Sequence, residues 1–355
     1  ASAKKGDELA AEEALQDLEN IEKKKKLCII MNPLVGDFNN WNENANLMNK
    51  DSQGVFSLFI PELKDDSAYK YVIKSRGFKA YRNDPFALEI VNDNSICKGY
   101  TFESKAKAIT KKNSELQILE VDLKKLIKKS KKKEKVVSTI LDSVKNYKYD
   151  TVSFLPVLKC KDTENYEVYN EYSFDKENGI DLATFKDICK ELKKEKINIL
   201  LELPFAYVSN DENGLSYFDG SHLFENEDYR LNSHNRYNAM LFDYSKPFTY
   251  SYIMSAVNMF MTNFDIDGIT VPNAGIILYH DYNKNPGEYI TEEWGNTVNS
   301  KGVNFLKEMN KSLHKNYKNA VSVASIYAYF NNVTGSDKDS LGFDYCVNSG
   351  ATDEI

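Results

Sequence analysis

The sequence is poor in the residues that build disulfide frameworks and metal sites. Of its 355 residues, only 5 are cysteine and 4 are histidine. The cysteines lie far apart with no CxxC pair, and the histidines lack ligand spacings such as HExxH. This pattern predicts reduced, buried thiols, and we expect neither a metal nor a cofactor. The cysteines are Cys28, Cys97, Cys160, Cys189 and Cys346.

Long apolar runs are also missing. No stretch reaches the ~18 apolar residues that a membrane-spanning helix needs, so the sequence predicts no membrane-spanning segment. The N-terminal residues are rich in acids and contain no hydrophobic signal core. The compartment therefore stays open, with the cytoplasm favoured and a mitochondrial complex as the alternative.

Positive charge is not in excess. The formal net charge is −7, which argues against nucleic acid as the main partner. A hydrophobic fraction of 42% is ordinary for a globular protein. The length suffices for one large α/β domain and a second, smaller one.

Residues 1–26 predict a helical extension. Leu9, Leu15, Leu18 and Ile21 form a narrow apolar stripe among acids, and a lysine run follows. Cations at that end suit the helix macrodipole. Such a helix either docks on the protein's own surface or binds a partner.

Residues 27–103 predict a small β-sandwich. Apolar or alternating runs at 27–31, 54–60 and 69–74 are separated by Asn, Asp and Gly, which are typical of turns.

Residues 104–355 predict a parallel α/β sheet, because strand and helix patterns alternate there. The lysine run at 128–135 is interpreted as the solvated start of a helix, with an acidic partner surface as the alternative. Such alternation is typical of a (β/α)8 barrel, whose chemistry lies at the carboxyl ends of its strands. Strands are predicted at 116–121, 151–157, 197–203, 267–271, 320–325 and 342–347, and helices at 136–144, 182–196, 247–264 and 298–317.

Five segments of the chain form a recognisable set. GDFNNW at 36–41 and YRNDPFA at 81–87 lie in the predicted β-sandwich. The predicted α/β part contains LNSHNRYNAMLFDYSKP at 231–247, FDIDGITVPNAGIILYHDY at 264–282 and GFDYCV at 342–347. The first two segments resemble the N-terminal carbohydrate-binding module, and the other three resemble barrel segments, of the glycogen (1,4-alpha-glucan) branching enzyme family of the α-amylase superfamily. The resemblance implies an α/β protein: a β-sandwich module, then a (β/α)8-type barrel that is incomplete after its sixth strand.

The resemblance also implies that the catalytic groups are lost. Retaining glycosidases need two carboxylates, a nucleophile and a general acid. The family's fourth strand reads Asp-Gly-hydrophobic-Arg-hydrophobic-Asp, and here Thr270 replaces the Arg and Pro272 the nucleophilic Asp. The fifth strand ends Ala-Glu in the family and Ala324-Ser325 here. We therefore expect a pseudoenzyme with no catalytic residue.

The third-strand segment is altered as well. The family's Asp-Val-Val-x-x-His is replaced by residues 202–207, in which only an acid, Glu202, is kept. We expect Glu202 to be a solvated or hydrogen-bonded strand-end acid, and Phe205 and Tyr207 to fill the pocket mouth in place of sugar. Residues 279–282 match a family loop that is mostly architectural, and we expect scaffold there.

Three functions compete at this point. A structural or scaffolding subunit of a larger protein assembly accounts best for the lost acids, and a partner or further chain would then cover the open barrel edge. The second is a glucan-binding or regulatory protein, in which Trp41 and Tyr81 are candidate aromatic platforms for sugar rings. The alternative for Trp41 is a place in the core of the module. The third is an enzyme with relocated acids, Glu202 and Asp281.

Overall fold

The structure, a computed structural model, describes residues 29–52, 55–75, 77–99, 116–130, 132–160, 166–234 and 239–347. The predicted N-terminal helix lies outside these ranges. The predicted domain boundaries after residues 26 and 103 stay predictions.

The N-terminal module is an antiparallel β-structure, as predicted. Its central strand, β5, pairs with β1, β2, β6 and β8, while β7 pairs with β8 and β3 pairs with β4. The strands are β1 (Ile29–Met31), β2 (Leu34–Gly36), β3 (Asn49–Lys50), β4 (Phe56–Ser57), β5 (Ala68–Ser75), β6 (Phe78–Arg82), β7 (Ile90–Val91) and β8 (Asn94–Ile96).

The second unit is a curled half-barrel with a six-stranded parallel sheet in the order β16-β15-β14-β11-β10-β9. A short antiparallel pair, β12 with β13, stands in the long connection after β11. The strands are β9 (Ile118–Val121), β10 (Thr151–Phe154), β11 (Asn198–Glu202), β12 (Tyr207–Ser209), β13 (Ala239–Leu241), β14 (Gly268–Val271), β15 (Val321–Ser325) and β16 (Tyr345–Val347).

The helices cover the convex face of this sheet, as crossover helices of parallel strands do. They are α1 (Leu123–Ser130), α2 (Lys133–Tyr147), α3 (Leu182–Lys194), α4 (Tyr229–Asn232), α5 (Pro247–Asn263), α6 (Gly275–Leu278) and α7 (Ser300–Asn316), and the 3-10 turns are Asp37–Asn39, Lys176–Asn178 and Glu293–Gly295.

The two faces of the parallel sheet have different cores because successive side chains of a strand point to opposite sides. Phe154, Leu201 and Val271 belong to the large core under the helices. Leu200 and Val323, at positions of the other parity, form a separate apolar cluster on the concave face. Polar residues near the carboxyl ends of the strands therefore meet inside the half-barrel when their side chains point to the concave face.

Helix α3 begins and ends where its sequence directs. Asp181 precedes it, and its side chain accepts a 2.7 Å hydrogen bond from the Thr184 amide. Lys193 and Lys194 lie in its last turn, where the macrodipole favours cations. The buried residues of the helix fall on one stripe, which packs against the convex face: Leu182, Phe185, Ile188, Cys189 and Leu192.

The Asp-Gly pair before β14 has an architectural role. Asp267 is 3% exposed, and its Oδ2 accepts hydrogen bonds from the Ile199 amide at 2.7 Å and from Lys193 Nζ at 2.6 Å. A Cβ on Gly268 would lie 1.9 Å from the backbone oxygen of Val321. The pair thus ties β14 to β11 and lets β15 approach closely.

An arginine joins the module to the half-barrel. The Arg82 guanidinium at the end of β6 donates to the carbonyl oxygens of Glu212 at 3.3 Å, Tyr217 at 2.7 Å and Phe218 at 3.1 Å. All three carbonyls belong to the connection between β12 and β13. Because buried carbonyl groups need donors, this contact fixes the connection against the module.

Two details of the sequence analysis are wrong and one is incomplete. Within the predicted strand at 54–60 only Phe56–Ser57 is a strand, and Phe59 is 86% exposed. The lysine run at 128–135 contains the start of a helix, α2, as predicted, but it also contains the end of α1, which was not predicted. Not every thiol is buried: Cys346 is exposed because β16 ends the described sheet, and Cys97 is only half-buried.

The close approach at Gly268 makes a testable prediction. Gly268→Ala should lower the free energy of unfolding by about 3 kcal/mol, since a methyl group cannot fit against the β15 backbone. Gly287→Ala is the control, because a Cβ there meets nothing within 4 Å and only the positive φ of 90° opposes it, at a cost of about 1 kcal/mol. Denaturant unfolding measures both variants. Equal losses would contradict the close-approach argument.

Candidate functional site

A cavity of about 360 Å³ lies at the carboxyl ends of the parallel strands. Its walls are formed by strand-end residues whose side chains point to the concave face, and by the loops that follow these strands. The strand-end residues are Glu120, Leu155, Glu202, Pro204, Pro272 and Ser325, and the loop residues are Tyr166, Ala206, Tyr207, Asn273, Tyr282, Asn283 and Tyr327.

The structure brings together Pro272 and Ser325, the positions that the resemblance assigns to the nucleophile and the general acid. Both line the cavity. Thr270, at the position of the family's Arg, is 5% exposed, and its Oγ1 lies 3.3 Å from Ser153 Oγ across the sheet. Proline has no ionisable group, and the hydroxyl of serine is too weak an acid to replace a carboxylic acid.

Glu202 is a buried carboxyl inside this cavity. It is 5% exposed, and burial raises its pKa from the ordinary 4.5 to about 8. The nearby charge of Glu120 raises the pKa further, whereas a hydrogen bond with Tyr166 opposes the shift. A carboxyl with this pKa is mostly protonated at neutral pH, so the cavity is lined by neutral hydroxyl, amide and carboxyl groups beside the charge of Glu120. Of the two environments expected for Glu202, the hydrogen-bonded one is observed.

The two aromatic residues after β11 have different positions. Tyr207 is 4% exposed, lines the cavity as expected, and stacks edge-on against His234 with ring centroids 5.5 Å apart. The expectation for Phe205 is wrong. Phe205 is fully buried in the large core and does not line the cavity, whereas its neighbours Pro204 and Ala206 do.

The loop after β14 contributes more than scaffold. Tyr282 lines the cavity, and its hydroxyl donates to Asn273 Oδ1 at 2.8 Å. The Tyr282 ring also packs where a Cβ on Gly275 would be, 2.5 Å from the nearest ring carbon. Asp281, the second of the relocated acids, is not among the residues that line the cavity.

The candidate sugar-binding residues are both partly exposed on the module. Trp41 is 37% exposed, and its indole Nε1 donates to Asp37 Oδ1 at 3.2 Å. Tyr81 is 44% exposed, and its hydroxyl is hydrogen-bonded to Glu43, two residues after Trp41. Lys74 and the neighbouring Lys79, together with Tyr81, lower the pKa of Glu43 to about 2. Both aromatic side chains are thus partly exposed, and each is hydrogen-bonded to a carboxylate of the module, Trp41 to Asp37 and Tyr81 to Glu43.

Comparisons with known proteins match this architecture. Residues 33–87 match the family described as carbohydrate-binding module 48 (isoamylase N-terminal domain). The 1,4-alpha-glucan branching enzyme GlgB 1 of Clostridium perfringens is 29% identical over 338 residues, which cover 89% of this chain and 50% of that enzyme. The GlgB enzyme of Picrophilus torridus is 26% identical over 327 residues, 89% of this chain and 46% of the enzyme. The chain is therefore similar to 1,4-alpha-glucan branching enzymes over 89% of its length.

Solved structures agree on the fold of this branching-enzyme relative. A pullulanase from Paenibacillus barengoltzii, in complex with maltohexaose and alpha-cyclodextrin, superposes with a TM-score of 0.65 at 13% identity. The match covers 84% of this chain and 50% of the pullulanase. The chain spans about half the length of the branching enzymes it matches. The predicted fold class, a module followed by six strands of a barrel, is therefore confirmed.

The sequence analysis missed several residues of the cavity. Glu120, Tyr166 and Asn273 were not singled out. Counting alternate positions along each strand would have found Glu120, because its side chain points to the concave face of the sheet, as that of Glu202 does. No local pattern marks Tyr166, which reaches the cavity from the loop after β10.

Two negative findings apply to the described part of the chain. No group of three or more His, Cys, Asp or Glu within the ranges given above could hold a metal ion. No helix among the described residues is long and apolar enough to cross a membrane.

The raised pKa of Glu202 predicts a pH dependence of stability. The carboxyl has a pKa of about 8 in the folded state and about 4.5 when unfolded. The folded state therefore holds the extra proton between these values, and stability falls as the pH rises from about 4.5 to about 8, by a few kcal/mol in all. Glu202→Gln should remove this part of the loss, because a neutral amide needs no proton.

Thermal melts at about pH 5 and about pH 8.5 measure the effect. The fully buried Glu171, whose pKa is likewise raised to about 8, adds a loss of the same sign in every variant. The informative quantity is thus the change in melting temperature between the two pH values, compared between wild type and Glu202→Gln. Glu134→Gln, on the exposed surface of α2, is the matched control. The same pH dependence in wild type and Glu202→Gln would contradict the prediction.

Proposed function

We propose that this chain is a non-catalytic branching-enzyme relative that acts as a structural subunit of a larger protein assembly. The observation that carries the proposal is the composition of the cavity. Pro272 and Ser325 occupy the two strand ends at which the resemblance places the catalytic carboxylates. The Asp267-Gly268 pair, which the family's fourth strand also has, serves strand packing here and supports the fold independently of any catalytic group.

Relocated acids do not restore the usual mechanism. A retaining glycosidase needs one carboxylate that attacks and one acid that protonates the leaving oxygen. Glu202 is buried and hydrogen-bonded with Tyr166, and Asp281 does not line the cavity. Glu120 also lines the cavity, but it lies on β9, whereas the resemblance places the nucleophile at the end of β14.

The absence of catalysis is tested with the purified chain. Incubation with amylose should produce neither branches nor new reducing ends, at rates at least about 10⁶-fold below an active branching enzyme, since a nucleophile is missing. Iodine staining and a reducing-end assay follow the two reactions. Turnover that disappears in Glu202→Gln would instead support the relocated-acid enzyme.

The structural role is tested in extracts of the native source. We expect the chain to co-migrate with other proteins on native gels and in size-exclusion chromatography, at a mass well above that of the monomer. Salt concentration is varied to separate specific assembly from surface attraction. Migration of the chain as a lone monomer under all conditions would exclude the proposed role.

Glucan binding is a second candidate function, favoured by the partly exposed Trp41 and Tyr81. Aromatic faces stack on the apolar faces of sugar rings, and here each of the two residues is held by a hydrogen bond to a carboxylate. Both residues belong to the range 33–87, which matches carbohydrate-binding module 48. Binding through this surface is compatible with a structural role.

Affinity electrophoresis in glycogen tests this second function. Glycogen should retard the wild-type chain, and Trp41→Ala should weaken the retardation about tenfold, since a stacked aromatic ring is lost. The matched control is Trp294→Ala, because Trp294 is fully exposed on a loop of the half-barrel. Equal retardation of wild type and Trp41→Ala would rule out this surface as the glucan site.

A further inference from the structure

The cavity at the strand ends combines two acids with aromatic and apolar walls. Its volume of about 360 Å³ is in the range of small-ligand pockets. Glu120 and Glu202 are the two acids, and no lysine, arginine or histidine of the described chain lines the cavity. Most of the other lining residues are aromatic or aliphatic: Tyr166, Tyr207, Tyr282, Tyr327, Leu155, Pro204, Ala206 and Pro272.

The two acids lie at different depths. Glu202, at the end of β11, is 5% exposed, whereas Glu120, on the edge strand β9, is exposed to solvent as well as to the cavity. Strand β10 separates these two strands in the sheet. A cavity whose charged groups all have one sign attracts ions of the opposite sign from solution. Glu120 is therefore placed to attract a cation, and Glu202 to receive it inside.

The ionisable groups of the cavity disfavour one another's charge. Burial raises the pKa of Glu202 and that of the Tyr166 hydroxyl, and nearby acids raise both further. Glu120 acts on Glu202, and both acids act on Tyr166. A cation among these groups would lower the pKa of Glu202, because opposite charge favours the ionised form. The lining itself contains no such cation in the described part of the chain.

One oxygen of Glu202 is left over. Its Oε2 is buried and has no hydrogen-bond partner among the described residues. Buried polar atoms are nearly always paired, so an unpaired carboxyl oxygen in the wall of a cavity indicates a ligand that donates a hydrogen bond. An ammonium group has three N–H donors and carries the charge that the two acids favour.

The walls of the cavity suit the rest of such a ligand. The faces of tyrosine rings attract cations, and Tyr207 and Tyr327 present aromatic surface at the buried and the exposed side of the cavity. Leu155, Pro204 and Pro272 offer apolar surface to an alkyl chain. An anionic ligand would be repelled by the acids and would find no basic side chain in the described lining.

A second cavity, of about 490 Å³, has the opposite charge character. It lies between the module, with Tyr69 and Phe86, and helix α5, and it shares no lining residue with the cavity at the strand ends. Its lining contains Lys98, which is ion-paired with Asp66 and Glu89, and no carboxylate. An organic cation would therefore prefer the cavity at the strand ends.

We propose that the cavity at the strand ends binds a small organic cation, a primary ammonium ion, whose nitrogen donates hydrogen bonds to Glu202 while Glu120 and the tyrosine rings surround its charge. In the empty cavity Glu202 holds a proton at neutral pH, since its pKa is about 8. Formation of the carboxylate–ammonium pair releases that proton to water. The proposal rests neither on the structural role nor on glucan binding by the module.

Isothermal titration calorimetry of the full chain with butylammonium chloride at neutral pH tests the proposal. Butanol, the neutral compound of similar shape, should bind at least about tenfold more weakly, because it lacks the charge. Titrations in two buffers of different ionisation enthalpy should show that butylammonium releases a proton. In Glu202→Gln we expect about tenfold weaker binding and no proton release. Glu134→Gln, on the exposed surface of α2, is the matched control.

A second variant keeps the test decisive if Glu202→Gln does not fold. Glu120 is exposed, so Glu120→Lys should leave circular dichroism native and abolish binding by repulsion, whereas Glu134→Lys should not. Failure of butylammonium to bind the wild-type chain would overturn the proposal. Equal affinity for butanol would overturn it too, as would undiminished binding in Glu120→Lys or in a folded Glu202→Gln protein.

Discussion

The alternation of side chains along the parallel strands governs this structure. Helices cover only the convex face of the sheet, so every second residue is committed to the large core and the remaining ones face the inside of the half-barrel. Leu200 and Glu202 share the inner face, and Leu201 between them belongs to the outer core. The lining of the cavity therefore depends on which alternate residues of each strand face inward. A shift of one residue in the register of a strand would turn its lining side chains away from the cavity.

The strand ends are held in register by few polar contacts. Asp267 joins the Ile199 amide and the Lys193 ammonium, and Gly268 allows the backbone of β15 to come close. At the other end of the molecule, Arg82 joins the module to the long connection that follows β12. These contacts give the Asp-Gly pair an architectural role, because it ties β14 to β11 and lets β15 approach closely.

Burial determines the chemistry of both cavities. At the strand ends, a carboxyl that would be charged in water is kept largely neutral, and hydroxyl groups of Ser153 and Thr270 lie within hydrogen-bonding distance of each other. In the cleft between the module and α5, Lys98 is ion-paired with Asp66 and Glu89. Burial thus limits the unpaired charge that either cavity holds.

The sequence by itself determined the order and type of the elements in the half-barrel, because long periodic runs bury one face and leave little choice of local structure. It also identified the residues at the strand ends, since the resemblance is carried by contiguous segments. It failed at Phe56–Ser57, where turns interrupt an apolar run, and it did not predict the end of α1 within the lysine run. Only the tertiary structure decided that Phe205 lies in the core, that Tyr282 and Glu120 reach the cavity, and that Phe86 faces α5. Those positions depend on strand pairing and domain contact between residues far apart in the chain, which no local pattern of residues encodes.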